Sequence, residues 1–235
     1  MERQAVGIDV GAETVKVVVL EGTAEDTRVV ATREAPHAKE PQATVLRLLR
    51  ELGLGRHVEV AATGRLRRLL SVEHVPTKAA LRHGVRVVHP DLSALTILSI
   101  GAHGFSVLEI QSNGQDWYQQ NSRCSQGTGN FLGQLVARFG LSIEEASSLC
   151  DLEEHPAALS GRCPVILKTD MTHLANKGED RSRILAGLYD AVCENVLTLV
   201  RSKLAPSDVV LVGGVARSAR IRRTIARWLE QRGMP

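Results

Sequence analysis

The sequence predicts an α/β protein built from two lobes, each of which opens with a strand, a glycine turn and a returning strand. Three short apolar strands end in glycine turns, and two of them return as hairpins: Ala5–Gly11 with Thr14–Leu20, Leu95–Gly101 with Phe105–Ile110, and Asp208–Gly214. Glycine lets backbone N–H groups approach a ligand closely, so turns of this kind are typical of sites for phosphate groups.

The two hairpins are similar to each other along their first strands. Ile8-Asp9-Val10-Gly11 aligns with Leu98-Ser99-Ile100-Gly101. This similarity favours two related lobes, residues 1–94 and 95–235, that face each other across a nucleotide cleft. Lys16 would supply charge to phosphates, and Asp9 would hold a metal ion or a water. Two unrelated hairpins are the alternative.

Composition limits the class of protein. The chain has 235 residues with 43% hydrophobic content, which is enough for a full core. No apolar run approaches the roughly 18 residues of a membrane span, and no signal peptide opens the sequence. Four cysteines without a secretion signal favour a cytoplasmic protein without disulfides. Aromatic residues make up only 3%, which argues against nucleic-acid binding.

Two cysteines precede predicted helices. Cys124 stands just before Gly127-Thr-Gly129, and apolar residues then follow at helical spacing: Phe131, Leu132, Leu135, Val136 and Phe139. Cys163 precedes Pro164, and its helix carries Leu167, Met171 and Leu174 before Gly178. A helix N-terminus stabilises anions, so a phosphate at Gly127–Gly129 or a thiolate at Cys124 would fit. A buried structural cysteine is the alternative interpretation.

Further helices are predicted from apolar spacing and from capping residues. They span Gln42–Leu52, Ser142 to about Cys150 with a capping box, Arg181–Lys203, and a last helix with Ile221, Ile225, Trp228 and Leu229 on one face. The other two cysteines, Cys150 and Cys193, lie in apolar helical stretches and are predicted to be buried. The arginines of the last segment are predicted to form a solvated face, with a docking patch for an acidic partner as the alternative: Arg217, Arg220, Arg222, Arg223 and Arg227.

Taken together, these segments resemble the BadF/BadG/BcrA/BcrD ATPase family of the acetate kinase, sugar kinase, heat-shock chaperone and actin superfamily. The residues that carry the resemblance span almost the whole chain: Gly7–Gly11 with Lys16, Ala62-Thr-Gly-Arg65, Cys124–Gly129, Arg162-Cys163, Lys168-Thr-Asp170, Asn176-Lys-Gly178 and Gly213-Gly-Val-Ala216. A cysteine before Gly-Thr-Gly, with a second cysteine about 40 residues later, is the most specific part of this set.

The resemblance implies a two-lobed, actin-like (ribonuclease H-like) ATPase fold and an ATP-dependent one-electron donor. Family members activate 2-hydroxyacyl-CoA dehydratases or benzoyl-CoA reductases, and they are homodimers that share one four-iron four-sulfur cluster. Cys124 and Cys163 would be its ligands. ATP or ADP with Mg²⁺ would be bound by Asp9, Gly11, Ala12, Glu13, Thr14, Val15, Lys16, Gly101, Ala102, His103, Gly127, Thr128, Gly129, Gly213 and Gly214. Because a cubane takes about four thiolates, two ligands per chain fit a symmetric pair, and a single-chain cluster with all four cysteines is the competing account.

The chain departs from the family in its second hairpin. The family pattern Asp-Ile-Gly-Gly-Gln-Asp is here Ser99-Ile-Gly-Ala-His-Gly104, so both acidic residues are absent. His103 is either a polar group near phosphate or a solvent-facing loop histidine. In the first hairpin, Glu13 would repel phosphates unless it points away. The family also implies a further strand and helix, so the second lobe is expected to be truncated at its C-terminus.

These departures leave two functions open. The first is a cluster-bearing activator that still binds nucleotide and hydrolyses it slowly. The second is a degenerate pseudo-ATPase module that binds a cluster or a partner protein without hydrolysis. A sugar or acetate kinase is disfavoured, because such an enzyme needs an aspartate base and leaves the paired cysteines unexplained.

Overall fold

The structure is a computed structural model that describes residues 3–23, 26–54, 58–121, 129–160, 163–201 and 204–233. The chain divides into two compact units, Met1–Asp91 and Leu92–Pro235. Each unit contains one sheet with helices packed against it. Within the described ranges, no helix is both long and apolar enough to cross a membrane.

The first unit is built on a mixed sheet. Its elements in chain order are β1 (Arg3–Val10), β2 (Thr14–Gly22), β3 (Thr27–Pro36), α1 (Pro41–Glu51), β4 (Glu59–Thr63), a 3-10 helix (Arg67–Leu69), β5 (Glu73–His74) and α2 (Thr77–Val88). The strand order is β3-β2-β1-β4-β5, with β1, β2 and β3 antiparallel and β4 parallel to β1. The edge strand β5 is parallel to β4.

The core of the first unit follows from period-2 alternation along the hairpin. Six valine and isoleucine side chains of β1 and β2 are buried on one sheet face: Val6, Ile8, Val10, Val15, Val17 and Val19. Val45 and Leu48 of α1 belong to the same cluster. Pro41 occupies the first turn of α1, and Gly53 follows its end with a positive φ, as expected of a helix stop. The predicted helix at 42–52 is therefore confirmed.

The second unit repeats the strand pattern of the first. Its strands are β6 (Leu95–Ile100), β7 (Phe105–Ile110), β8 (Asp116–Gln120) and β9 (Val209–Val212), in the order β8-β7-β6-β9. β6 pairs antiparallel with β7 and parallel with β9, just as β1 pairs antiparallel with β2 and parallel with β4. The predicted similarity of the two hairpins is thus confirmed by strand order and direction.

The helices of the second unit contribute most of its core. They are α3 (Gly129–Val136), α4 (Ile143–Cys150), α5 (Pro164–Asn176), α6 (Arg181–Leu197) and α7 (Ala219–Glu230). The predicted capping box of α4 is present, since Ser142 accepts from the Glu145 N–H and the Glu145 carboxylate accepts from the Ser142 N–H. Cys150 and Cys193 are fully buried, as predicted.

Helix α6 ends at Leu197, six residues before the predicted end at Lys203. The cause is a contact distant in sequence. Glu109 of β7 is fully buried, and its carboxylate accepts from the backbone N–H of Arg201 at 3.1 Å and from the Arg201 guanidinium. The chain leaves the helix to reach this buried acid.

The prediction that the arginines of the last segment form a solvated face is wrong for Arg220. Its side chain is buried, with only 1% of the residue exposed. The guanidinium donates to both carboxylate oxygens of Asp190, at 3.0 and 2.6 Å. It also donates to backbone carbonyls just after α4, including that of Glu153 at 2.6 Å. Asp190 satisfies the charge and these carbonyls satisfy the remaining N–H groups, so Arg220 joins α4, α6 and α7.

Candidate functional site

The first glycine turn brings the predicted Asp9 and Lys16 side chains together. The Gly11 N–H donates to the Thr14 carbonyl at 2.9 Å, which closes the turn between β1 and β2. Asp9 and Lys16 are directly paired in the ladder, and Asp9 Oδ2 lies 3.3 Å from Lys16 Nζ. More than a third of each side chain is exposed. The turn therefore presents one carboxylate and one ammonium group to a ligand.

A cavity of about 570 Å³ lies beside this ion pair within the first unit. Asp9 and Lys16 line it together with small and apolar residues of the sheet and of α2, among them Gly7, Ala61 and Ala80. The side chains of the ion pair thus border an open space.

Glu13, which would repel phosphates unless it points away, contacts the turn that follows β3. Its carboxylate lies 3.7 Å from the Lys39 ammonium, and its backbone carbonyl accepts from the His37 N–H at 3.0 Å. Lys39 is mostly exposed, so the ion pair stabilises the turn little. It does, however, place a positive charge next to the negative one. The expected repulsion is therefore partly balanced within the first unit.

Thr63 and Gly64 adjoin Asp9, and our site prediction did not include them. Thr63 pairs with Asp9 in the β1–β4 ladder, and its hydroxyl is buried without a partner in the part of the chain that is described. Gly64 has a φ of +92°, and a Cβ there would lie 2.3 Å from Asp9 Oδ1. Only glycine fits this approach. The sequence feature that could have identified Thr63 and Gly64 is the Ala62-Thr-Gly-Arg65 segment, which carries part of the family resemblance.

The second turn has the geometry of the first but lacks its charges. The Gly101 N–H donates to the Gly104 carbonyl at 2.8 Å. Ser99 stands two residues before Gly101 and pairs with Ser106 across the hairpin, as Asp9 stands before Gly11 and pairs with Lys16. The ladder therefore places a hydroxyl where the first hairpin has a carboxylate.

Two further predicted glycines pack against the second turn. Gly213 has a φ of +95°, and a Cβ there would lie 2.3 Å from the Ile100 carbonyl oxygen. Gly129, the first residue of α3, donates its N–H to the Gly101 carbonyl at 2.9 Å. The structure thus brings Gly101, Ala102, Gly129 and Gly213 into one compact group within the second unit.

Cys163 occupies the N-cap of α5 and is partly exposed. Its thiol makes no capping hydrogen bond, and Pro164 takes the first helical position, as predicted. The neighbouring Val165 and Ile166 are exposed apolar residues. An uncapped, accessible sulfur at a helix N-terminus suits a thiolate ligand of a metal centre. Cys124, Gly127 and Thr128 lie outside the described residues, so their roles stay predictions.

The remaining cysteines differ from Cys163 in chemistry as well as in position. Burial raises the pKa of the Cys150 thiol to about 12 and raises that of Cys193 well above its usual value. Neutral buried thiols are poor metal ligands. Within the described ranges, no group of three or more His, Cys, Asp or Glu side chains could hold a metal ion. The burial of Cys150 and Cys193 disfavours a cluster built from all four cysteines of one chain.

We expect the three described cysteines to differ in their rates of alkylation. With iodoacetamide at about pH 8, Cys163 should react about 100-fold faster than Cys150 and Cys193, because the buried thiols react only after local opening. Mass spectrometry of the peptides measures this directly, with urea-unfolded protein as the control in which all react. Equal alkylation rates for Cys150 and Cys163 would contradict this assignment.

The raised pKa of the Cys150 thiol also affects stability. This thiol destabilises the fold increasingly as pH rises from about 9, where the unfolded thiol ionises, towards about 12.

The repeated strand order and the glycine turns after β1, β6 and β9 define a protein of the actin-like ATPase fold. The chain matches the model of the BadF/BadG/BcrA/BcrD ATPase family over residues 6–234 and belongs to that family.

Its relatives include dehydratase activators and a component of a reductase. The 2-hydroxyisocaproyl-CoA dehydratase activator of Clostridioides difficile is 25% identical, over 94% of this chain and 84% of the relative. One of the subunits of benzoyl-CoA reductase from Thauera aromatica is 26% identical, over 97% and 84%. The (R)-2-hydroxyglutaryl-CoA dehydratase activating ATPase of Acidaminococcus fermentans is 24% identical, over 94% and 86%.

Solved structures confirm the fold. The activator of the Clostridium difficile 2-hydroxyisocaproyl-CoA dehydratase, determined with bound ADPNP, superposes with a TM-score of 0.85 at 26% identity. That match covers 97% of this chain and 86% of the other. Component A of the Acidaminococcus fermentans (R)-2-hydroxyglutaryl-CoA dehydratase gives a TM-score of 0.86 at 22% identity, over 97% and 89%. The predicted α/β, actin-like fold is confirmed.

Proposed function

We propose that this protein is an ATP-dependent activator that donates single electrons to a partner of the 2-hydroxyacyl-CoA dehydratase or benzoyl-CoA reductase type. It would act as a cytoplasmic homodimer with one iron–sulfur cluster between its subunits. The observation that carries the proposal is Cys163, an accessible and uncapped thiol at a helix N-terminus. It occurs in a chain whose curated relatives include such activators.

Nucleotide binding would use groups from both hairpins. In the first, Lys16 supplies positive charge, and Asp9 orients Mg²⁺ or a water molecule. In the second unit, Gly101 of the hairpin turn and Gly213 and Gly214 after β9 would let the backbone approach the ligand closely. The ATPase character of the family and the ADPNP bound to a structural relative support this assignment.

Cluster binding would need thiolates from two chains. Cys163 is one ligand, and Cys124 is the other by the family resemblance. Because one chain offers about half of the ligands that a cubane needs, a second copy would complete the set. When bound, a four-iron four-sulfur cluster supplies a one-electron redox centre, which a low-potential one-electron reductant would reload. The helix N-terminus at Cys163 would stabilise its negative charge.

A second candidate function rests on the second turn. Ser99 and Gly104 replace the two acidic residues of the family pattern, and a hydroxyl organises Mg²⁺ or the attacking water poorly. The alternative is therefore a non-hydrolysing module that binds nucleotide and a cluster or a partner. The turnover of ATP distinguishes the two functions.

Ser99→Asp is expected to raise ATP hydrolysis on the order of 100-fold, because a restored carboxylate supplies a few kcal/mol of transition-state stabilisation. Phosphate release under saturating ATP measures this rate. Ser99→Ala is the matched control and should leave the slow rate unchanged. If Ser99→Asp binds ADPNP normally yet hydrolyses no faster, the position plays no part in hydrolysis.

The activator function itself is tested by electron transfer. The protein is purified without oxygen, reduced with dithionite, freed of excess reductant and mixed with a 2-hydroxyacyl-CoA dehydratase. We expect the visible absorbance of the reduced protein to change as it is oxidised, only when ATP is present. ADPNP in place of ATP is the control for binding alone. Oxidation that proceeds equally without nucleotide would overturn the proposal.

A further inference from the structure

The first turn of α5 is weakly supported by capping and by packing. The N-cap side chains of α4, α6 and α7 each accept a hydrogen bond from a backbone N–H of their own helix. Cys163, at the N-cap of α5, makes no such bond within the described ranges. Val165 and Ile166 are 71% and 47% exposed, and Leu167 is the first buried residue of the helix. The position of the Cys163 thiol therefore depends on other contacts.

Asp170 supplies one such contact from within the helix. Its Oδ2 accepts from the backbone N–H of Ser160 at 2.7 Å, and its side chain is partly buried. A hydrogen bond from an N–H group to a carboxylate is stronger than one between neutral groups. Ser160 lies three residues before Cys163, and Asp170 lies seven residues after it, which is about two helical turns. The bond thus closes a short loop of chain that contains the thiol and the exposed first turn.

The segment before Ser160 is fastened to a different helix. The Ala157 N–H donates to the Arg183 carbonyl at 2.9 Å, and Arg183 Nε donates to the His155 carbonyl at 2.8 Å. A Cβ on Gly187 would lie 2.3 Å from the Ala157 carbonyl oxygen, so the segment lies directly against α6. Of these anchors, the bond at Ser160 is the nearest to the thiol along the chain, and it joins the segment to α5.

Cys163 is therefore held from both sides along the chain. On one side, its carbonyl accepts from the Leu167 N–H at 2.9 Å, which begins the hydrogen bonding of α5. On the other side, three residues of chain span at most about 10 Å, so a fixed Ser160 limits how far Cys163 can move. A ligand of a metal centre must be held close to its bonding position by its supporting contacts. The bond between Asp170 and Ser160 is such a contact.

We propose that Asp170 is a positioning residue for Cys163. By accepting from the Ser160 N–H, it holds the thiol at the N-terminus of α5, where the proposed cluster would bind. This inference rests on the proposed function, and it gives a role to the Lys168-Thr-Asp170 motif, which that function leaves unexplained. Asp170 acts through the backbone and through its hydrogen bond rather than through its charge, so it need not contact the cluster.

The first test is amide hydrogen exchange, followed by NMR, on the full chain before iron is added. Asp170→Ala should speed exchange at Ser160 and Leu167 about 10-fold, because Ser160 loses its acceptor and the first turn of α5 opens more often. Asp170→Asn keeps an acceptor oxygen without the charge, so its exchange should stay within about 2-fold of the natural sequence. Unchanged exchange in Asp170→Ala would overturn the inference and leave the proposed function intact.

The second test follows the cluster after anaerobic reconstitution with iron and sulfide. Asp170→Ala should release iron to a ferrous chelator about 10-fold faster than the natural sequence, because groups that orient metal ligands contribute to metal affinity. The electron paramagnetic resonance spectrum of the dithionite-reduced protein should also change. Asp170→Asn should keep the natural spectrum and release iron within about 2-fold of the natural rate.

Asp180→Ala is the matched control for a general loss of stability. The Asp180 carboxylate accepts from the Ser182 N–H, also at 2.7 Å, but at the start of α6. Asp180→Ala should therefore lower the urea midpoint about as much as Asp170→Ala does, while the spectrum and the rate of iron release stay natural.

Three results would overturn the role of Asp170 alone. They are natural iron release from Asp170→Ala, equally fast release from Asp180→Ala, and release from Asp170→Asn as fast as from Asp170→Ala. The last result would assign the effect to charge instead of the hydrogen bond. Failure of the natural sequence to take up iron would instead overturn the proposed function, and the positioning role with it.

Discussion

Replacing Cys163 or Cys124 by alanine is expected to remove essentially all iron from anaerobically purified protein. Two subunits would then offer only about two of the four thiolates that a cubane needs, and the remaining pair cannot hold it. The loss should also weaken the dimer, because the shared cluster would be a bond between subunits. Iron and acid-labile sulfide assays, together with sedimentation analysis, measure both effects.

The other two cysteines supply matched controls. Cys150→Ala and Cys193→Ala should keep the full iron content, because both side chains are buried in the core of the second unit. These two variants should lose only some stability from the small cavities they create. Full iron in Cys124→Ala or in Cys163→Ala would refute the ligand assignment and favour the binding-module alternative.

Replacing Asp190 by asparagine is expected to destabilise the protein by about 3–5 kcal/mol, which is large for a single substitution. Arg220 is almost fully buried, and Asp190 is its only acidic hydrogen-bond partner in the part of the chain that is described. Without that carboxylate, a buried guanidinium keeps its charge and has only backbone carbonyls to accept from it. Urea unfolding at neutral pH measures the free-energy difference.

Two further variants separate charge burial from simple truncation. Asp190→Asn combined with Arg220→Met should recover part of the lost stability, because the double variant buries no unpaired charge. Arg223 lies on the same helix as Arg220, is exposed and pairs with Asp151. Its replacement, Arg223→Met, should have little effect on stability. Equal stability of Asp190→Asn and the natural sequence would show that Arg220 is compensated by the carbonyls alone.

Elements specified by short-range pattern were predictable from the sequence. The alternating apolar residues of β1 and β2 and the capping box of α4 depend on neighbours only a few residues away. Helix α2 was not predicted, although Leu81, Val85 and Val88 have helical spacing. Gly84 and three valines near its end have low intrinsic helix propensity and hid that spacing.

Features that depend on contacts distant in sequence could not be predicted. The burial of Arg220 requires Asp190, which lies 30 residues earlier, and charge pattern alone favours a surface position. The end of α6 depends on Glu109 in another element. Gly64 is required only because β4 brings it against Asp9.

The candidate site also contains both contacts that follow from local sequence and contacts that do not. Lys16 and Asp9 lie close together because the predicted hairpin pairs them directly. A contact between His103 and Asn130 joins a turn to a helix 27 residues later, which no local pattern indicates. The partly exposed Cys163 was predictable because Pro164 and the following apolar residues fix where α5 begins.

The most direct test of the proposed activator is an assay of iron, acid-labile sulfide and ATP turnover on one sample purified without oxygen. We predict about four iron and four sulfide atoms for every two chains, together with slow ATP hydrolysis. Protein that binds nucleotide but holds no iron, even after anaerobic reconstitution with iron and sulfide, would contradict the assignment of a shared cluster.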